Sequence, residues 1–227
     1  MLVANRVSRG YGHGQTRIEV LRQVSMDLRP GERVALRGPS GSGKSTLARA
    51  LALLERPDAG HVELDGEPVH HAGLRLARTV RQRVALLWQS PRTAADPRLT
   101  LAQLVAEPLC SGGRRRRPPP GELAAAVALR CEQVGLTGEL RERYPHEVSE
   151  GQLQRACLAR ALIARPRYLI CDEPTSMLDV STQAALLETV AEEQRGQDLG
   201  VLLITQDQTL AAHWCDRTIE LTTAHRH

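Results

Sequence analysis

The sequence has no phenylalanine, and aromatic residues make up only 2% of its 227 positions. A core must therefore be built from Leu, Val, Ile and Ala, which a 41% hydrophobic content can supply. Five cysteines (Cys110, Cys131, Cys157, Cys171 and Cys215) are scattered without a C-x-x-C pair. That excludes metal-site spacing and argues against a disulfide framework, so reduced cytoplasmic thiols are expected. Residues 1–10 contain no apolar core of signal-peptide length. No apolar run reaches the roughly 20 residues of a membrane-spanning helix. Residues 158–170 come nearest, but Arg160, Arg165 and Arg167 interrupt them. Any membrane connection is expected to come through a partner. The net charge is +4, and much of the excess sits in Arg114-Arg115-Arg116-Arg117, directly before Pro118-Pro119-Pro120. A charge block followed by prolines reads as a solvated loop. Basic stripes interleaved with stacking aromatics are missing, so no nucleic-acid partner is expected. Internal repeats are missing too.

What is present is Gly38-Pro39-Ser40-Gly41-Ser42-Gly43-Lys44-Ser45, followed by Thr46. It fits G-x-x-x-x-G-K-[ST], the phosphate-binding P-loop. Residues 33–36 before it read as a short buried strand, and residues 46–54 after it as a helix. Glycines let the backbone wrap a phosphate, and successive N–H groups with the helix N-terminus favour an anion. Lys44 would reach the β- and γ-phosphates, and the Ser45 hydroxyl would ligate Mg²⁺. A nucleoside triphosphate is the expected ligand.

Strand-like segments at 2–7 and 18–28 flank a turn at Gly10-Tyr11-Gly12-His13-Gly14, and Pro30-Gly31 turns the chain into the P-loop strand. Residues 61–64 read as a strand, Asp65-Gly66 as a hairpin turn and 84–88 as a buried strand. From about 91 to 150, helices at 100–109 and 122–134 lie between proline- and glycine-rich joints. Then follow a helix at 152–164, a strand at 168–171, a helix at 181–194, a strand at 201–204, a short helix at 207–214 and a strand at 217–221. Alternating strands and helices predict an α/β layered core with a mostly parallel sheet. In that core Tyr168-Leu169-Ile170-Cys171-Asp172-Glu173 buries a strand whose end presents two carboxylates. Asp172 suits the Mg²⁺ shell and Glu173 the general base that polarises an attacking water.

Val148-Ser149-Glu150-Gly151-Gln152 narrows the field. The chain resembles the ATP-binding cassette (ABC) ATPases, whose signature reads L-S-G-G-Q. The resemblance covers nearly the whole chain with the motifs in order. It implies a P-loop NTPase core with a mostly parallel sheet, an antiparallel β subdomain and a helical subdomain. One ABC ATPase domain would span 1–227, with 1–90 and 151–227 forming the nucleotide-binding core and about 91–150 the helical subdomain. The resemblance makes Tyr11 the A-loop aromatic on adenine, Gln89 the Q-loop glutamine near Mg²⁺ and water, and Ser176-Met177-Leu178-Asp179 the D-loop. Ser149, Glu150, Gly151 and Gln152 would face the ATP of a partner cassette, because this family sandwiches two ATP molecules between two cassettes. Gln89-Ser90-Pro91-Arg92 and Asp96-Pro97-Arg98-Leu99-Thr100 resemble a stretch of the oligopeptide, dipeptide and nickel importer subunits. Tyr144-Pro145-His146-Glu147 and Gln154-Arg155 are similar to theirs as well.

Three departures follow. The switch position reads Thr205-Gln206-Asp207 where the family has T-H-D. Glutamine can donate a hydrogen bond to the γ-phosphate but cannot become a cation, so slow hydrolysis at this P-loop is expected. Glu150 replaces the first signature glycine and should point away from phosphate. The sequence ends at Ala224-His225-Arg226-His227, where many peptide and nickel importer subunits continue; this tail reads as a frayed terminus rather than a chelator. The resemblance implies an ATPase subunit at the cytoplasmic face of the membrane. It would pair with a second, different cassette and two permease subunits, and a solute-binding protein would serve the system indirectly. An accessory subunit of a carbon–phosphorus lyase and an ATP-gated clamp stand as alternatives. A P-loop kinase would need neither the signature nor Glu173.

Overall fold

In a computed structural model, the described residues are 1–70, 72, 76–110, 118–174 and 179–222. Arg114 to Arg117, the D-loop residues Ser176, Met177 and Leu178, and the tail from Ala224 to His227 lie outside them. The chain divides into two units, one holding Met1–Leu86, Arg167–Glu173 and Asp198–His227, the other Leu87–Pro166 and Pro174–Gln197.

The first unit carries two sheets. An antiparallel sheet runs β2-β1-β4-β5, from β1 (Leu2–Tyr11), β2 (Ile18–Leu28), β4 (Ala59–Leu64) and β5 (Glu67–Val69). A second sheet runs β6-β7-β8-β3-β9, from β3 (Arg33–Arg37), β6 (Val84–Leu87), β7 (Tyr168–Asp172), β8 (Gly200–Ile204) and β9 (Arg217–Glu220). The pairs β7–β8, β8–β3 and β3–β9 are parallel, as the alternation of strands and helices predicts. Parallel strands covered on both faces need continuous apolar runs. Leu169-Ile170-Cys171 and Val201-Leu202-Leu203-Ile204 supply them, all buried. The P-loop helix α1 (Lys44–Leu51) packs on β7 and β1 through a core that includes Leu2, Leu28, Leu36, Leu47, Leu51 and Ile170, and a short helix, α2 (Arg78–Arg81), precedes β6.

Two boundaries differ from the expected ones for local reasons. The strand β1 continues through Gly10 and Tyr11, which pair with Glu19 and Ile18 beyond irregularities in the register, so the turn falls after Tyr11. The helix α1 begins at Lys44 rather than Thr46, and stops at Leu51 because Leu53 takes a left-handed φ of 60°. Such a conformation in a branched residue ends a helix.

The second unit is helical. It comprises α3 (Pro91–Ala94), α4 (Leu101–Cys110), α5 (Pro120–Gln133), α6 (Gly138–Arg141), α7 (Glu150–Leu162) and α8 (Val180–Gln197). The helix α7 packs against α3, α4, α5 and α8 and buries Leu153, Ala156, Leu158 and Leu162. This unit thus takes in α7 and α8 as well as the 91–150 segment. The nearly buried Arg130 of α5 forms an ion pair with Glu193 of α8, and Gln197 donates to the same carboxylate at 2.6 Å. All five cysteines are unpaired. Among the described residues, no helix is long and apolar enough to cross a membrane.

Candidate nucleotide site

The loop from Gly38 to Gly43 joins β3 to α1, and its shape depends on its glycines. A Cβ on Gly38 (φ +149°) would lie 2.4 Å from the Leu221 carbonyl oxygen, and one on Gly43 (φ +98°) 2.7 Å from Leu21. Neither position can carry a side chain without displacing its neighbours. The Lys44 ammonium is buried and donates to the carbonyls of Gly38 and Pro39, both at 2.9 Å, which holds the loop closed on itself. The Ser42 hydroxyl is 1% exposed and has no hydrogen-bond partner. A buried polar atom without a partner costs about 1–3 kcal/mol, so this loop is shaped for a polar ligand that would satisfy it.

Next to the loop, at the end of β7, stands the carboxylate pair. Asp172 is 5% exposed and hydrogen-bonds the Ser45 hydroxyl. Burial pushes its carboxyl above the ordinary range; the Ser45 bond opposes this, the Glu173 charge adds to it, and Arg49 and Lys44 pull it back. A carboxylate whose charge is so disfavoured, beside a hydroxyl, forms a donor set that fits a hard divalent cation. Glu173 adopts a left-handed φ of 45°, a conformation that a non-glycine residue holds only under constraint. Its N–H donates to the Ile204 carbonyl at 3.1 Å, and its carboxylate oxygen Oε1 accepts from Gln206 Nε2 at 2.9 Å. Gln206 follows β8, whose end is registered beside β7 through the Asp172–Ile204 pair. Asp207 then caps α9 (Gln208–Trp214) by accepting from Leu210 N–H at 3.0 Å. His213, in the last turn of α9, is exposed and bonds the Thr209 carbonyl at 2.8 Å.

Tyr11, at the end of β1, is 38% exposed yet held in place. Its hydroxyl donates to Glu55 Oε2 at 2.9 Å and accepts from Arg49 Nη2 at 3.0 Å, while the Arg9 guanidinium lies 5.1 Å from its ring centroid. Burial alone would raise the Glu55 carboxyl, but hydrogen bonds from Tyr11, Arg49 and Arg9 outweigh it and hold the group below its usual range. Thus Tyr11, residues 38–46, Asp172, Glu173 and Gln206 all belong to one unit.

Gln89, Asp179 and the signature residues belong to the helical unit. Gln89 is exposed just after β6. Ser149 caps α7: its Oγ accepts from Gln152 N–H at 3.2 Å, and Gln152 Oε1 accepts from Ser149 N–H at 2.9 Å. The S-x-x-Q spacing of a capping box thus doubles as the signature, and it starts the helix at Glu150 rather than Gln152. Glu150 is met by Arg92 of α3, whose Nε donates to Oε2 at 2.8 Å. Arg92 also donates to the carbonyls of Pro145 and Val148, at 3.1 and 3.3 Å. The extra carboxylate is therefore neutralised by a side chain 58 positions away, a partner no local pattern reveals. Asp179 caps α8, accepting from Thr182 N–H at 3.0 Å and from the hydroxyls of Ser181 and Thr182. These bonds, Ser181 first, depress its carboxyl strongly.

A glycine cradle at a helix start, a buried lysine and two carboxylates at the end of β7, two strands over in the same sheet, define a P-loop nucleoside-triphosphatase site. The capped helix that carries the S-E-G-Q signature adds the mark of a cassette, and the family comparison agrees. The chain belongs to the ABC transporter family, whose model matches residues 21–176. It is 38% identical over 210 residues to the di/tripeptide transport ATP-binding protein DppF of Pseudomonas aeruginosa, covering 92% of this chain and 64% of that protein. It is 37% identical over 206 residues to the glutathione import ATP-binding protein GsiA of Shigella boydii, covering 91% of this chain and 32% of that one. The chain therefore spans under two thirds of the one relative and a third of the other. Its fold matches a dimeric structure of the ATP-binding cassette MJ0796 in a post-hydrolysis state bound to ADP and Pi. There the TM-score is 0.87 and the identity 25%, over 100% of this chain and 98% of that one.

Proposed function

We propose that the chain is the ATP-binding and hydrolysing subunit of a membrane importer for peptides or a related small solute. The observation that carries this reading is the buried Asp172 at the end of β7, with Ser45 and Lys44 of the P-loop acting on its carboxyl and Glu173 next in sequence. The relatives' names, a di/tripeptide and a glutathione carrier, favour peptide-like cargo over nickel. Loop N–H groups, Lys44 and Thr46 hold the phosphates, and Tyr11 takes the adenine. Ser45 and Asp172 would hold Mg²⁺, which would supply neutralisation of phosphate charge. Glu173 accepts the proton of the attacking water as the bond from γ-phosphorus to the bridging oxygen breaks and ADP leaves.

Ser149, Gly151 and Gln152 face the γ-phosphate of a second cassette, Asp179 lies at that junction, and the pair drives two permease subunits at the cytoplasmic face of the membrane. Gln206 makes the sites unequal, which suits a heterodimer. Reconstitution in lipid vesicles with its permeases and a second cassette should give ATP-dependent uptake of small peptides. Uptake that is unaffected by leaving this chain out would overturn the assignment.

The Arg92 pair makes Glu150 tolerable in the signature. Glu150→Gly should change turnover of the assembled cassettes by less than about twofold, whereas Arg92→Ala should lower it about two- to fivefold, the scale of one surface ion pair. A large gain in Glu150→Gly would show instead that the glutamate inhibits.

A further inference from the structure

An aromatic side chain that stacks on a base needs only its ring, and in Tyr11 it is the hydroxyl that is most heavily engaged. That hydroxyl donates to Glu55 and accepts from Arg49, at 2.9 and 3.0 Å. The same Arg49 Nη2 reaches the Thr46 hydroxyl at 3.2 Å, and Arg49 Nε bonds Glu55 Oε2 at 3.1 Å. Arg9 closes the cluster from the strand side, donating to Glu55 Oε1 from Nε and Nη2 at 2.9 and 2.7 Å. A tyrosine at the exposed end of a strand would otherwise sample several rotamers, which nucleotide binding would have to restrict.

Resting on the proposed reading of Tyr11 as the adenine platform, we propose that Arg49 and Glu55 are positioning residues that hold this ring in its nucleotide-binding orientation before nucleotide arrives. Arg49 stands on α1, one turn after Thr46, and bonds both Thr46 and Tyr11. The base platform and the phosphate cradle are therefore one preorganised body rather than a loop that closes onto the base. Arg9 over the ring adds a cation to one face, which further restricts its rotation. The consequence is that the nucleobase adds affinity through an orientation the protein has already set, and that this increment depends on the Tyr11 hydroxyl as well as on its ring.

The test measures the Kd of ATP and of inorganic tripolyphosphate, which lacks base and ribose, by calorimetry on the purified chain and on Tyr11→Phe, Arg49→Ala and the double variant. Wild type should bind ATP more tightly than tripolyphosphate. Tyr11→Phe keeps the ring but loses both hydroxyl bonds, and should weaken ATP about fivefold, the scale of one to two hydrogen bonds. Tripolyphosphate affinity should stay within about twofold, which also reports that the variant is folded. The double variant should lose no more ATP affinity than Arg49→Ala alone, because the two substitutions remove the same network. ATP binding by Tyr11→Phe at wild-type affinity would overturn the proposal. Equal weakening of both ligands in Arg49→Ala would assign Arg49 to the phosphate cradle instead and overturn its positioning role. Failure of wild type to bind ATP at all would sink the nucleotide reading itself, an outcome distinct from either.

Discussion

Glu173→Gln is expected to bind ATP with unchanged Kd and to hydrolyse it on the order of 10³-fold more slowly, within the range for loss of a general base. The geometry supports so clean a separation. The backbone of Glu173 is anchored by its bond to the Ile204 carbonyl, and its side chain receives Gln206 Nε2 on Oε1. An amide at this position retains an oxygen that can accept the Gln206 bond, so neither the strand end nor the left-handed φ need change. What is lost is only the capacity to take a proton. The residues proposed for the phosphates, Lys44 and the 38–46 loop, are untouched. Single-turnover hydrolysis and equilibrium ATP binding measured on the same preparation check this. Hydrolysis at the wild-type rate would move the general base elsewhere, and loss of binding would mean that Glu173 supports the cradle rather than the chemistry.

The parts of this site that could be read from the sequence are those whose partners are neighbours in the chain. The P-loop is contiguous, and its strand and helix follow from apolar runs on either side. Asp172 and Glu173 end a run of apolar residues that can only be a buried strand. The capping box at Ser149 and Gln152 is a three-residue spacing. What could not be read depends on where the fold brings distant segments. Arg92 meets Glu150, and Arg49 joins Tyr11 through side chains whose sequence separation carries no periodic signal. From the sequence Tyr11 itself reads as part of a turn, because Gly10 and Gly12 flank it. Pairing with Ile18 keeps it in the strand instead, since a ladder bond outweighs the weak preference of one glycine. Similarly, α7 packs on α3, α4 and α5, contacts between helices that no local spacing foretells.

Gln206→His should raise single-turnover hydrolysis at this chain's own P-loop on the order of 10²-fold, the scale of one transition-state donor, with the Kd for ATP changed by less than about twofold. In the wild-type chain, the amide nitrogen at 206 is already committed to Glu173 at 2.9 Å. It can orient that carboxylate, but it offers no charge to the phosphoryl group. A protonated imidazole adds a charge-assisted bond, roughly twice as strong as a neutral one. The gain should also carry a pH signature that no change in packing would produce. An unperturbed histidine titrates near 6.5, so the advantage of the variant should be full below that value and shrink as pH rises through it. Addition of Glu173→Gln to the variant should abolish the gain, because the donor at 206 acts only on a reaction that Glu173 starts. A variant that hydrolyses ATP no faster than wild type at any pH would show that the glutamine is not what limits this site. A gain that persists unchanged well above pH 6.5 would assign the improvement to the neutral imidazole and its geometry rather than to charge.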